Sequence, residues 1–247
     1  MSHAITIKDL SVSYDRKRVL SNIFLEIEEG RRYGILGPNG SGKSTLLKAM
    51  LGLIDDYTGE IKVLGKDVRK VRRQVVYVPQ RSEIDFTFPA TVRDVVLMGR
   101  YPHKKVFQRL NAEDTRLAEE AMEELDILDL QDRQIGELSG GQQQRTFLAR
   151  ALAQKADVLL LDEPFVGVDI PTEEKIIEVL RKLSGEGKTL MVVHHDLQAV
   201  PEYFNHVILL NQRLIAHGPT EEVFTPETLR RAFGGQLALL QQAGQIG

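Results

Sequence analysis

A chain of 247 residues, 42% hydrophobic and 27% charged, has the make-up of an ordinary globular protein, long enough for one large α/β domain carrying an inserted subdomain. Its net charge of −3 argues against a general nucleic-acid binder, and the lack of cysteine removes disulfides, a thiol nucleophile and any cysteine-held metal. The opening MSHAITIKDL lacks the basic segment and apolar core of a signal peptide, and no run approaches the ~18 apolar residues of a membrane-spanning helix. A cytosolic protein is expected, with any membrane role exercised through a partner.

Taken in order, Ile5-Thr6-Ile7 and Val12-Ser13-Tyr14 alternate like two strands and Ile23 to Ile27 like another, with Asp15 to Arg18 a polar turn before Val19-Leu20. Tyr14 reads either as a half-buried strand residue or, lying upstream of a phosphate loop, as a platform for adenine. Base–aromatic stacking is worth ~1–3 kcal/mol. As a platform, Tyr14→Ala should weaken nucleotide binding roughly 5- to 150-fold in a fluorescent-nucleotide titration.

Arg31 to Leu36 reads as a strand running into the core, and Thr45 to Leu51 as a run of helix formers. Between them GPNGSGKST fits G-x-x-x-x-G-K-[ST], with Gly37, Gly42, Lys43 and Ser44 in the required places. Glycines let such a loop curl without Cβ clashes, so that successive N–H groups point at a polyphosphate. The helix N-terminus adds its partial positive charge. The binding set is Gly37, Pro38, Asn39, Gly40, Ser41, Gly42, Lys43, Ser44 and Thr45, with Lys43 reaching the β/γ-phosphates and the Ser44 hydroxyl a Mg²⁺ ion. A nucleoside triphosphate is the expected ligand.

Gly59 to Val63 and Gln74 to Val78 are further strands, and the basic run Lys66 to Arg73 between them reads as a solvated face rather than a nucleic-acid site. The second strand ends at Pro79-Gln80, where a glutamine can ligate Mg²⁺ or water. Residues 82–137 read as mostly helical. Thr91 caps one helix with Asp94 at its third position, and a longer helix near Ala112 sets Leu117, Ala121, Leu125 and Leu128 in an apolar stripe. Leu138-Ser139-Gly140-Gly141-Gln142 then opens an apolar helix through Ala153, a second potential anion site.

Val158 to Leu161 is a continuous aliphatic run, as for a strand buried on both faces, and it ends in Asp162-Glu163-Pro164. An aspartate there can hold Mg²⁺, and the adjacent glutamate can polarise an attacking water. Leu190 to Val193 is the next buried strand, ending in His194-His195-Asp196. Neighbouring strand side chains point to opposite faces, so contact of one histidine with the γ-phosphate is expected ahead of a metal held by both. Val207 to Ala216 reads as a hairpin turning at Asn211-Gln212, and the amphipathic tail from Thr220, broken at Gly234-Gly235, as helix docked on the domain.

With two glycine loops and Asp162-Glu163 in one chain, the sequence resembles an ATP-binding cassette (ABC) ATPase of a membrane transporter over nearly its whole length. GPNGSGKST resembles the Walker A loop, VLLLDE the Walker B strand, and LSGGQ the family signature, its most specific element. The resemblance implies an α/β fold: a P-loop NTPase (RecA-like) core with an antiparallel β subdomain and an inserted α-helical subdomain. Residues 1–82 and 137–217 would form the ATP-binding core and β subdomain, 83–136 the helical subdomain and 218–247 a C-terminal helical tail.

It also implies roles. Tyr14 would stack adenine, Gln80 would be the Q-loop residue, and Glu163 the general base or water-orienting group. Asp169 would sit in the D-loop, and His195 rather than His194 would be the switch histidine. Ser44, Gln80 and Asp162 would hold Mg²⁺. Two copies, expected as a homodimer, would pair head to tail, with ATP between the Walker A loop of one and Ser139, Gly140, Gly141 and Gln142 of the other. An integral-membrane permease would contact the helical segment near Gln80–Arg100, with an external metal-binding protein as part of the system and no nucleic acid. The cassette would then lie on the inner face of the cell membrane.

Many cassettes follow the Walker B glutamate and proline with a Ser-Ala-Leu-Asp type loop; here Phe165-Val166-Gly167-Val168-Asp169 stands instead. With Phe88 to His103 and Val192 to Phe204, that departure is similar to manganese/zinc/iron-type metal importers, manganese ahead of zinc. Iron–siderophore and cobalamin importers are the runner-up. Soluble cassette proteins that act on nucleic acid are the alternative of another class, and they usually carry two cassettes or a long coiled-coil insertion, absent here. A P-loop kinase would leave LSGGQ without a job.

Overall fold

The structure, a computed structural model, describes residues 2–15 and 17–235. Met1, Arg16 and the tail from residue 236 lie outside the described residues. The chain opens with the hairpin β1 (His3–Tyr14) and β2 (Lys17–Glu28), in which Tyr14 pairs with Lys17. The two short strands expected in residues 5–14 are therefore one. Its inward residues are Ile5 and Ile7, then Leu10 and Val12, so the period-2 pattern slips by one residue midway. The slip is a bulge. Asp9 and, opposite it, Asn22 both adopt left-handed backbone (φ 54° and 50°), and the Asn22 side chain donates to Asp9 Oδ1 at 2.7 Å.

Next come β3 (Arg32–Leu36), α1 (Lys43–Met50), β4 (Tyr57–Val63) and β5 (Val75–Val78), then α2 (Val92–Met98), α3 (Ala112–Glu124) and α4 (Gly140–Ala153). The second half runs β6 (Val158–Asp162), α5 (Ile170–Gly185), β7 (Thr189–Val193), α6 (Val200–Tyr203), β8 (His206–Asn211), β9 (Arg213–Pro219), α7 (Thr220–Val223) and α8 (Pro226–Phe233). The longest helix described, α5, has no counterpart in the sequence reading. The tail breaks between α7 and α8, just ahead of Pro226, before it reaches Gly234.

Two sheets result. The smaller is antiparallel, ordered β2-β1-β4; the larger is ordered β5-β6-β7-β3-β8-β9, parallel except for β9. Strand alternation splits the core in two. Leu159 and Leu161 on β6 and Leu190 and Val192 on β7 face α2 to α5, whereas Leu160 and Met191 face α1 and the small sheet. Helix α1 is thus enclosed between the sheets by Leu46, Leu47, Ala49 and Met50. The P-loop core, β subdomain and helical subdomain are all present.

The helical segment is less helical than expected: α2 and α3 are joined by single 3₁₀ turns and extended stretches. Thr91 and Asp94 form the expected capping box, and Asn111 with Asp114 forms a second one. The buried stripe of α3 is Asp114, Ala118, Ala121 and Met122, with Leu125 just past its end. Leu117 and Leu128 are only half-buried. Asp114 belongs in that stripe because it is paired: Arg100 Nε donates to it at 3.1 Å and Lys104 forms a second ion pair. Removing it leaves two cations uncompensated at a buried site, so Asp114→Ala should cost about 3 kcal/mol in denaturant unfolding.

Candidate active site

The C-terminal edge of the parallel sheet gathers the expected residues. Strand β3 stops at Leu36, and the Gly37–Gly42 turn delivers the chain into α1. Gly42 is the helix N-cap at φ 98°, a conformation that leaves no room for a side chain. A Cβ on Gly37 would lie 2.0 Å from the Leu210 carbonyl oxygen. The Gln212 N–H donates to Ser41 O at 2.9 Å, tying the loop to the β8–β9 turn. Lys43 arches back over the loop and donates to Gly37 O at 2.9 Å and Pro38 O at 3.0 Å. Burial holds its ammonium below the usual lysine range, against the pull of Glu163 and Asp162.

Asp162 and Glu163 arrive at the end of β6, which β5 and β7 flank. The Asp162 carboxyl is buried. Burial pushes its pKa up, countered in part by a hydrogen bond from Ser44 and raised further by the charge of Glu163. Tyr77 Oη donates to Oδ2 at 3.4 Å, while Oδ1 is buried with no partner. Glu163 sits at φ 52°, in left-handed backbone unusual for this residue type. That turn sets its carboxylate between two other chain segments: Gln80 Nε2 donates to Oε2 at 2.7 Å, and His195 Nε2 lies on Oε1. Lys43, Ser44, Gln80, Asp162, Glu163 and His195 therefore form one group. Tyr14, 46% exposed, stands at the tip of the β1–β2 hairpin, whose Val19 and Leu20 pack against Gly42.

Ser139 to Gln142 and Asp169 form a second group. Ser139 caps α4: its Oγ accepts from Gln142 N–H at 3.3 Å, and Gln142 Oε1 accepts from Ser139 N–H at 2.9 Å. Asp169 caps α5 by accepting from Thr172 N–H at 3.1 Å. The nearest neighbours of Gly140 are Gly167 and Arg81, and those of Gly141 belong to Thr172, so the two caps abut. Arg81 and Gln143 were missed in the sequence. The Arg81 guanidinium donates twice to Gln143 Oε1, at 3.1 and 2.9 Å, linking the segment after Gln80 to α4. Nothing local in the sequence marks a pair so far apart along the chain.

His194 turns away from His195 into a box of Phe165, Tyr203 and Phe204, with ring centroids 5.2, 5.9 and 5.5 Å away. The two rings face different neighbours and are not placed to share one ion. Among the described residues no group of three or more histidine, aspartate or glutamate side chains is placed to hold one. Burial lowers the His194 pKa from 6.5 to about 4, with Asp196 pulling it up and His195 down. A base with a depressed folded pKa stabilises the fold fully above the unfolded value and loses that stability as pH falls from 6.5 towards 4. The loss is on the order of 3 kcal/mol. His194→Phe should flatten that acid limb when unfolding free energies at about pH 7 and about pH 4.5 are compared.

A doubly flanked parallel sheet with a glycine loop between β3 and α1, and an acidic pair after the neighbouring buried strand, defines a P-loop nucleotide-binding protein. The chain belongs to the ABC transporter family, whose model matches residues 20–166. It is 49% identical over 246 residues to the manganese transport system ATP-binding protein MntB of Halalkalibacterium halodurans, covering 100% of this chain and 98% of that one. It is 52% identical over 237 residues to the zinc transport system ATP-binding protein TroB of Treponema pallidum, covering 96% and 89%. Among solved structures it superposes on an ABC transporter in an inward-facing conformation, assigned to the metal-chelate type without proof, with a TM-score of 0.83, at 29% identity and covering 94% of this chain and 89% of that one.

Proposed function

We propose that this ATP-binding cassette ATPase drives uptake of a transition-metal ion, manganese ahead of zinc, through a membrane permease. The observation that carries the ATPase chemistry is the Glu163 carboxylate, held between Gln80 and His195 beside Lys43 and Asp162. The metal cargo rests on the manganese and zinc transport relatives, which align over nearly their whole lengths. The metal-chelate type transporter on which the chain superposes is 29% identical, well below the manganese and zinc relatives, so the siderophore and cobalamin readings stand second.

In this reading the Gly37–Thr45 loop and Lys43 bind the phosphates. Lys43 exchanges its two carbonyl partners for phosphate oxygens, a stronger charge-assisted contact. Gln80 and His195 fix the Glu163 carboxylate, which takes the proton of the attacking water. The buried, unpartnered Asp162 Oδ1 and the Ser44 hydroxyl are hard oxygen donors suited to Mg²⁺, with Gln80 adjoining. When bound there, Mg²⁺ would neutralise charge building on the phosphates. Ser139, Gly140 and Gly141, with Asp169, close on the nucleotide of a second copy, so ATP joins two copies and hydrolysis releases them.

The permease would enter a cavity of about 430 Å³ between Leu53, Val76, Met98 and Gly99, whose lips Leu53 and Met98 are exposed apolar side chains. No helix among the described residues is long and apolar enough to cross a membrane itself. The test is uptake of radiolabelled manganese by cells whose only copy carries Glu163→Gln. Loss of manganese uptake is the expected result. Retained manganese uptake with lost siderophore–iron uptake would move the cargo to the runner-up.

A further inference from the structure

Two large apolar side chains on the loop after the Tyr101–His103 turn have no cover. Val106 is 84% exposed and Phe107 100%, the most exposed of the large hydrophobic residues described. The loop that carries them is built. Arg100 and Lys104 anchor its start on the buried Asp114. Lys105 N–H donates to Gln108 Oε1 at 3.0 Å, and Gln108 N–H returns to Lys105 O at 2.9 Å. Phe107 sits in this turn at φ 67°, left-handed backbone that a bulky residue adopts only at a cost. An apolar pair presented outward on a fastened turn marks a contact surface.

The surroundings are basic. Lys105 and Arg109 flank the pair and are exposed. The Arg72–Gln74 turn lies against the Tyr101–His103 turn. Gln154 fastens the two: its Nε2 donates to Val75 O at 2.8 Å, and its carbonyl oxygen lies 2.7 Å from His103 Nε2. This brings exposed Lys70, Arg72 and Arg73 to the same rim, where the exposed Tyr101 also stands. The basic run that reads in sequence as a solvated face thus packs against the turn that leads into the apolar tip. Arg72 and Gln154, on the basic side of this rim, also line the cavity between Leu53 and Met98.

We propose that the Lys104–Leu110 loop contacts the membrane surface: Val106 and Phe107 enter the headgroup–acyl boundary of an anionic bilayer while Lys105, Arg109, Lys70, Arg72 and Arg73 meet lipid phosphates. Apolar side chains on a convex turn suit a fluid surface, and a ring of cations suits its charge. Arg72, whose turn packs against the Tyr101–His103 turn that leads into the loop, lines the cavity assigned to the permease, so in that reading this side of the domain is turned to the bilayer. Each basic residue near such a surface contributes on the order of a five-fold gain in partition. The inference rests on the permease reading, but the two fail separately: vesicle binding needs no permease, and permease capture needs no free lipid.

The chain contains no tryptophan, so Phe107→Trp in the full-length protein is a sole reporter at an exposed site. It is mixed with vesicles of equimolar phosphatidylglycerol and phosphatidylcholine, or of phosphatidylcholine alone. The expected result is a blue-shifted emission on the anionic vesicles only, quenched by brominated acyl chains. The bound fraction should fall roughly 10-fold or more with Lys105→Glu and Arg109→Glu combined, with basal ATP hydrolysis unchanged. Unshifted emission on anionic vesicles, or equal binding to phosphatidylcholine alone, would overturn the proposal. A shift that appears only when detergent-solubilised permease is added would also overturn it, and would give the loop to that protein.

Discussion

Glu163→Gln should lower ATP hydrolysis on the order of 10²–10⁴-fold while leaving ATP binding intact, the usual size of a lost general base. The substitution isolates basicity from geometry. The amide oxygen of the substituted side chain can still accept from Gln80 Nε2, now 2.7 Å from the carboxylate, and the left-handed turn at residue 163 is unchanged. What would disappear is the proposed site for the proton of the attacking water. ATP then binds without turning over, and the closed pair of copies should accumulate as an ATP-dependent dimer on light scattering. Phosphate release at the wild-type rate would remove Glu163 from this role.

Ser139→Arg should leave the first nucleotide contact within about three-fold of wild type yet reduce hydrolysis by on the order of 10²-fold, because in the proposed sandwich the active arrangement needs a second copy. The residue starts α4 and is half of a reciprocal cap with Gln142. Its loss costs about 1 kcal/mol of helix stability, too little to unfold the domain. The larger effect is steric and electrostatic: a long cation replaces a hydroxyl at the helix N-terminus that would face the partner's nucleotide. The Gly37–Thr45 loop packs on Leu20, Val19 and Leu210, so monomer affinity is expected to hold. ATP-driven dimerisation equal to wild type would contradict the head-to-tail sandwich.

The chemistry was more legible than the architecture. The loop from Gly37 to Thr45 is contiguous, and its neighbours β3 and α1 are short-range consequences of the same residues. Val158 to Leu161 reads as doubly buried because every position is aliphatic, and the acidic pair follows at once. The β1–β2 hairpin was harder: its inward pattern changes phase at Asp9 and Asn22, so one strand reads as two. Helix α5 did carry a signal, since Asp169 caps it, Pro171 lies in its first turn and Ile176, Ile177, Val179 and Leu180 share a buried face. On α3, Leu117 outranks Ala118 by hydrophobicity, yet the close packing of α3 on α4 selects the small side chain. The separate roles of Gln80, Glu163 and His195 came from family resemblance, and their convergence on the Glu163 carboxylate is visible only in the structure, because no spacing encodes it. The contact of Arg81 with Gln143 had neither source.

The most direct test of the account is purification of this chain from membranes through an affinity tag, with identification of what accompanies it and metal analysis of any exported binding protein. The account predicts a multi-helix permease in complex with two cassettes, and a binding protein carrying manganese, or zinc in second place. Recovery with ribosomes or DNA and no permease would leave the ATPase chemistry standing and contradict the transporter.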